Sequence, residues 1–205
     1  LRSYTYLYPP PDDQVRGSLH TSPERAGVSA AALVEEGFTA VKFDPLIDVM
    51  SNEDPKEPPL DRLDNAEAVV RSVREAGGGR CDILIGTHGQ TTTSGAVRFA
   101  RRIEQFDPLW FEEPVPPENV DEMARVARNT TIPVATGERL RTKFDFRLCL
   151  DTQAAAILQT AIGRVGGILE AKKIASMAEA HYAQIAPHLY CGPIEEAANI
   201  QLDVC

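Results

Sequence analysis

"PLWFEEP", residues 108–114, runs from an apolar stretch straight into two glutamates and a proline. It reads as a strand that ends in acid, with Trp110 and Glu112 on one face and Phe111 on the other, because side chains alternate along a strand. The same pattern, a short apolar run with polar residues at its end, recurs on both sides of it. Upstream lie "RSYTYLY" (2–8), "TAVKFDP" (39–45) and "DILIGTH" (82–88); downstream lie "PVATGER" (133–139), "AAILQTA" (155–161) and "AQIAPH" (183–188). Between them the spacing predicts helices over 22–37, 60–79, 94–106, 118–130, 143–153, 166–182 and 194–205. The first of these opens on Ser22 and Pro23, the second has apolar residues at 63, 66, 69, 70 and 73, and the segment 45–59 is rich in Pro, Asp and Glu and reads as a long loop. Seven strands alternating with helices predict an α/β protein with a parallel sheet, and one unbroken series favours a TIM-type (β/α) barrel over a doubly wound sheet. The whole chain, 1–205, is read as one barrel domain, one strand short of eight.

Composition narrows the function. A formal net charge of -9 over 205 residues, with no basic cluster, argues against nucleic acid as a partner. No apolar run reaches the roughly 20 residues needed to span a bilayer, so no membrane partner is expected. Cys81, Cys149, Cys191 and Cys205 are scattered without a C-x-x-C pair and read as reduced thiols, which points to the cytoplasm.

The strand ends carry the chemistry. Lys42 and Asp44 end strand two, Thr87 and His88 strand three, Glu112 and Glu113 strand four, Glu138 and Arg139 strand five, and His188 strand seven. In a βα barrel these ends converge on the C-terminal rim, where active sites form. Carboxylates from neighbouring strands, Glu112 and Glu138, repel unless a proton or cation sits between them, and a hard dication such as Mg²⁺ takes oxygen ligands. Glu113 faces the other way and is expected to be a structural hydrogen-bond partner. Each of these residues also has a plainer reading: a solvated strand end, a helix-terminal acid, a rim histidine or an isolated ion pair. Their concentration at one end of successive strands favours the sharper one.

"AVKFDP", "THG", "PLWFEEPVPPEN", "PVATGERL" and "GRVGGILEAKKIASMAEAHYAQIAPHLYCGPI" together resemble the mandelate racemase/muconate lactonizing branch of the enolase superfamily, and within it the acid-sugar dehydratases. The resemblance spans nearly the whole chain, in order. It implies an Mg²⁺-dependent lyase that removes the proton next to a carboxylate, passes through an enediolate and expels a β-hydroxyl. It assigns Glu112 and Glu138 as metal ligands, His88 as general acid, His188 as general base, Lys42 as the first lysine of a Lys-x-Lys motif, and Arg139 as a substrate-binding cation. A sugar acid is the implied small-molecule partner, and a homo-oligomer the expected assembly.

The chain also departs from that pattern. Gly86 stands where the third metal-ligating Asp belongs, with Asp44 or His88 as substitutes on the rim; Asp82, some 13 Å down the strand, is out of reach. Asp44 replaces the second lysine and joins the candidate catalytic set. Thr160 and Ala161 stand where the carboxylate partner of His188 is expected. Only the barrel is represented; the capping domain and the eighth strand are not. A cycloisomerase or racemase of the same superfamily, and a non-catalytic barrel that only binds or associates, remain open on the sequence.

Overall fold

The computed structural model describes residues 2–8, 18–49 and 55–204. The chain runs through β1 (Thr5–Tyr6), α1 (Ser18–Thr21), α2 (Pro23–Glu35), β2 (Ala40–Phe43), α3 (Leu60–Gly77), β3 (Asp82–Gly86), α4 (Thr93–Ile103) and β4 (Trp110–Glu112). It continues through α5 (Val120–Ala127), β5 (Val134–Thr136), α6 (Lys143–Asp151), β6 (Ile157–Leu158), α7 (Ile162–Val165), α8 (Ile168–Ala180), β7 (Gln184–Ile185) and α9 (Pro193–Asp203). The strands form one sheet in the order β1 to β7, each parallel to the next. No pairing joins β1 to β7 among the described residues, so the sheet is a curled, open barrel.

The alternation expected from the sequence decides what each face meets. Val41, Phe43, Ile83, Ile85 and Phe111 face outward into the main core, against Leu63, Val70, Phe99, Ile103 and Phe146 of the helices. Ala40, Leu84, Trp110, Ala135 and Ile157 form a second, separate cluster with Tyr4 and Ala186. Five consecutive strands, β2 to β6, contribute to that second cluster, and Tyr4 beside β1 and Ala186 beside β7 pack against it, which is possible only if the sheet curls round on itself. The residues one step further along the same inner face are Lys42, Gly86 and Glu112, so the polar rim sits directly above this apolar floor.

The helices form where their apolar stripes predict. Leu63, Ala66, Val69, Val70 and Val73 of α3 are all buried. Thr92, Asn119 and Thr142 cap α4, α5 and α6 through their side chains, the last as a reciprocal capping box with Asp145. Ser22 differs from expectation: it precedes α2 but its side chain makes no capping bond. Two short helices, α1 and α7, escaped the sequence reading because four residues are too few to show a period. In the predicted loop 45–59, Ile47–Val49 forms a 3₁₀ turn and Lys56 bridges Thr91; residues 50–54 lie outside the described set. Cys81, Cys149 and Cys191 are free thiols, and Cys205 also lies outside it. No helix among the described residues is long and apolar enough to cross a membrane.

Phe111 is fully buried and edge-on to Phe99, with ring centroids 5.7 Å apart. It is the residue that locks the glutamate-bearing strand onto the helices. Phe111→Ala is expected to lower stability by about 3–5 kcal/mol, measured by urea unfolding, with a matching loss for Phe99→Ala.

Candidate active site at the barrel rim

A cavity of about 1310 Å³ opens over the inner face, and Tyr4, Tyr6, Lys42, His88, Glu138 and His188 are among its lining residues. Lys42, at the end of β2, crosses to β4: its ammonium lies 2.7 Å from Glu112 Oε1 and 2.5 Å from Oε2. Only Oε1 receives it in hydrogen-bonding geometry; Oε2 is buried without a hydrogen bond. Lys42 is 6% exposed and Glu112 0%. Burial works against the Lys42 charge, but the Glu112 carboxylate outweighs it and raises the lysine pKa above its ordinary value. For a pair this deep, removing either partner strands the other charge, at a cost of about 3–5 kcal/mol.

Gly86 makes this crossing possible. It pairs in register with Glu112, and a Cβ there would lie 2.5 Å from Lys42 Cε and 3.0 Å from Cγ. The lysine stem therefore occupies the space that any side chain at 86 would need.

Asp44 and His88 form a second unit. His88 Nδ1 lies 3.2 Å from Asp44 Oδ2. Gln90 clamps the two together: its amide nitrogen lies 3.0 Å from both Asp44 oxygens and its carbonyl accepts the His88 backbone N–H. Asp44 Oδ1 also accepts from the Leu46 backbone, and the Asp44 backbone N–H donates to His20 Nδ1. Asp44 is thus fully engaged within the fold. With Nδ1 of His88 turned to Asp44, Nε2 is the nitrogen left for other partners. The hydrogen bond to Asp44 raises the His88 pKa above the ordinary histidine value, against the opposing effect of burial. Neither Gln90 nor His20 was singled out from the sequence. His20 carried no signal beyond its type, while Gln90 follows "THG" on the same rim loop and could have been suspected.

His188, just beyond β7, lies 3.4 Å from Glu138 through Nε2. The partner that strand six does not supply comes instead from the end of β5. Burial lowers the His188 pKa below the ordinary value, with Glu138 opposing, and Nδ1 is buried without a hydrogen bond. Glu138 owes its position to Gly137, whose φ of +138° and close neighbours, Phe146 Cε1 at 2.8 Å and Gln159 N at 2.9 Å, exclude a side chain.

The remaining candidates sit elsewhere. Arg139 does not line the large cavity; its Nε donates to Glu113 Oε2 at 2.8 Å, and its Nη2 reaches the His88 carbonyl at 3.1 Å. Its visible work is to brace the rim, and Glu113 is the structural partner expected of it. Asp82 pairs with Arg2 at the opposite end of β3 from the rim. No three His, Cys, Asp or Glu side chains surround a common point among the described residues. Two carboxylates are nonetheless a workable donor set for Mg²⁺, which is commonly held by one or two carboxylates with water and substrate completing its shell. Glu112, whose Oε2 accepts no hydrogen bond, and Glu138, on the cavity wall, are the two carboxylates expected for that role.

Residues 26–205 match the family described as enolase C-terminal domain-like. The chain belongs to that family. It is 37% identical over 202 residues to a protein named D-xylonate dehydratase from Haloferax volcanii, covering 93% of this chain and 48% of the relative. It is 40% identical over 141 residues to one named D-galactonate dehydratase from Variovorax paradoxus, covering 69% of this chain and 37% of the relative. A crystal structure from Labrenzia alexandrii described as a mandelate racemase/muconate lactonizing enzyme superposes with a TM-score of 0.92 at 57% identity, covering 98% of this chain and 52% of that one. The chain spans about half the length of these enolase-family relatives or less.

Asp44 favours the charged His88 imidazolium, so its removal lowers the His88 pKa. An NMR titration of the imidazoles is expected to show His88 titrating above the ordinary value of 6.5 and His188 below it. In Asp44→Asn the His88 transition moves to lower pH while that of His188 stays. A His88 transition unmoved by this substitution would contradict the pairing.

Proposed function

We propose that this barrel carries the catalytic site of an acid-sugar dehydratase: it takes a 2,3-dihydroxy carboxylate and eliminates water to give a 2-keto-3-deoxy acid. The observation that carries this reading is a pair of histidines lining one cavity, each beside its own carboxylate, His88 at 3.2 Å from Asp44 and His188 at 3.4 Å from Glu138; their surroundings push the two pKa values in opposite directions, as in sites that separate an acid from a base. The names of the dehydratase relatives support the substrate class.

His188, whose charged form burial disfavours, is the base that takes the proton from the carbon next to the carboxylate. His88, whose protonated form Asp44 favours, is the acid that delivers a proton from Nε2 to the departing β-hydroxyl, which leaves as water. The proton bound to carbon passes to His188, the C–O electron pair leaves with the hydroxyl, and the enol product tautomerises to the ketone. Lys42 sets a positive charge on the cavity wall, where negative charge grows on the substrate carboxylate. Glu112 and Glu138 would hold Mg²⁺, which when bound offsets that same growing charge. Gln90 and His20 hold Asp44, and Asp44 fixes which nitrogen of His88 carries the transferable proton.

With D-xylonate or D-galactonate as substrate, His88→Asn and His188→Asn are each expected to lower kcat by roughly 10²–10⁴-fold. Exchange in D₂O separates the two roles. His88→Asn should still exchange the proton next to the carboxylate while losing dehydration, whereas His188→Asn should lose both. Loss of exchange in His88→Asn with retention in His188→Asn would reverse the assignment.

A further inference from the structure

Glu112 is completely buried and has no surface on the large cavity; Lys42, which does line it, lies between the two. A cation entering from the cavity meets Glu138 on the wall, but it meets Glu112 only after the lysine has moved. We propose that the Lys42 ammonium is the resident counter-cation of Glu112, that a divalent cation must displace it to complete its own site, and that the displaced ammonium then becomes the charge that receives the substrate carboxylate. The exchange orders binding: cation first, anion second. It rests on the reading of the rim as a carboxylate-binding site served by Glu112 and Glu138.

Three features of the rim make the exchange physically reasonable. The first is charge. Glu112 is too deep to stand alone, so its carboxylate needs a positive neighbour at all times, and the lysine and the entering ion can relieve one another without leaving it bare. The second is room. The lysine reaches Glu112 by lying over Gly86, where no side chain narrows its path, so it can withdraw along the same track. The third is a place to go. The ammonium already lies 5.9 Å from the Tyr4 ring centroid and 6.0 Å from that of Tyr6, at the outer reach of a cation–π contact. Both rings line the cavity, so a short swing away from Glu112 carries the charge along an aromatic wall into the space a substrate would enter.

The same features explain why lysine and glycine occur together at these two positions. A side chain at 86 and a lysine stretched to Glu112 would compete for the same volume. The chain has the lysine and the glycine, so its cation site is gated by its own side chain.

The test is Mn²⁺ binding, followed by electron paramagnetic resonance of the free ion, with thermal melting alongside. Lys42→Met removes the competing charge and keeps the stem. It is expected to bind Mn²⁺ at least ten-fold more tightly than the unaltered protein, and Mn²⁺ should raise its Tm by more, because the ion restores the positive neighbour that Glu112 has lost. Glu112→Gln should abolish the difference. Should Lys42→Met fail to fold, Gly86→Ala serves instead. Its methyl group displaces the lysine stem while keeping both charges, and a several-fold tightening is expected. Equal or weaker Mn²⁺ binding in the folded variant than in the unaltered protein overturns the exchange and leaves the two-carboxylate site standing. Absence of Mn²⁺ binding in every folded form overturns the exchange together with the cation part of the proposed function.

Discussion

Every other residue of seven short strands has to point into a space that only the sheet itself encloses, and the rest of the molecule follows from that constraint. The outward residues find helices and make an ordinary core. The inward ones find only each other. Near the bottom that is acceptable, because Ala40, Leu84, Trp110, Ala135 and Ile157 are apolar and fill the floor. One step higher the strands are ending, water is close, and the inward positions can be polar. The rim is therefore where charged side chains are forced to choose partners from neighbouring strands, and those choices make the site.

The partner choices divide the rim into separate units. Lys42 with Glu112 links β2 to β4 across Gly86 on β3. Asp44 with His88 links β2 to the end of β3, with Gln90 holding both. His188 with Glu138 brings the residue beyond β7 to the one beyond β5. Arg139 with Glu113 lies outside this ring and stiffens it. Each unit joins an acid to a base from a different strand, so a chain with a net charge of -9 still presents positive and hydrogen-donating groups to its cavity.

The sequence showed the strands, the helices longer than two turns, the alternation and the location of the rim, because all of these are periodic or local. That neighbouring residues of "LWFEE" take opposite faces could be read from the stretch alone; which face is the inner one could not. What could not be read was which acid each base would take. Lys42 was legible as a rim lysine, but its grip on Glu112 depends on empty volume at Gly86, and a missing side chain is a poor signal until its neighbours are known. His188 looked bereft of a carboxylate because the expected position on strand six holds Thr160 or Ala161; the partner sits two strands' distance earlier in the chain. Arg139 was legible as a rim cation, but its bond to Glu113 is made where that glutamate has a positive φ, which a sequence does not display.

The Asp44–His88 contact has a consequence for spacing. It holds the imidazole by Nδ1, so His88 meets the cavity from the β2–β3 arc of the ring. His188 meets it from the β7 arc. A ligand that touches both imidazoles must therefore offer groups to two separate arcs of the ring at once. The spacing between those two groups is thus set by the order of the strands themselves.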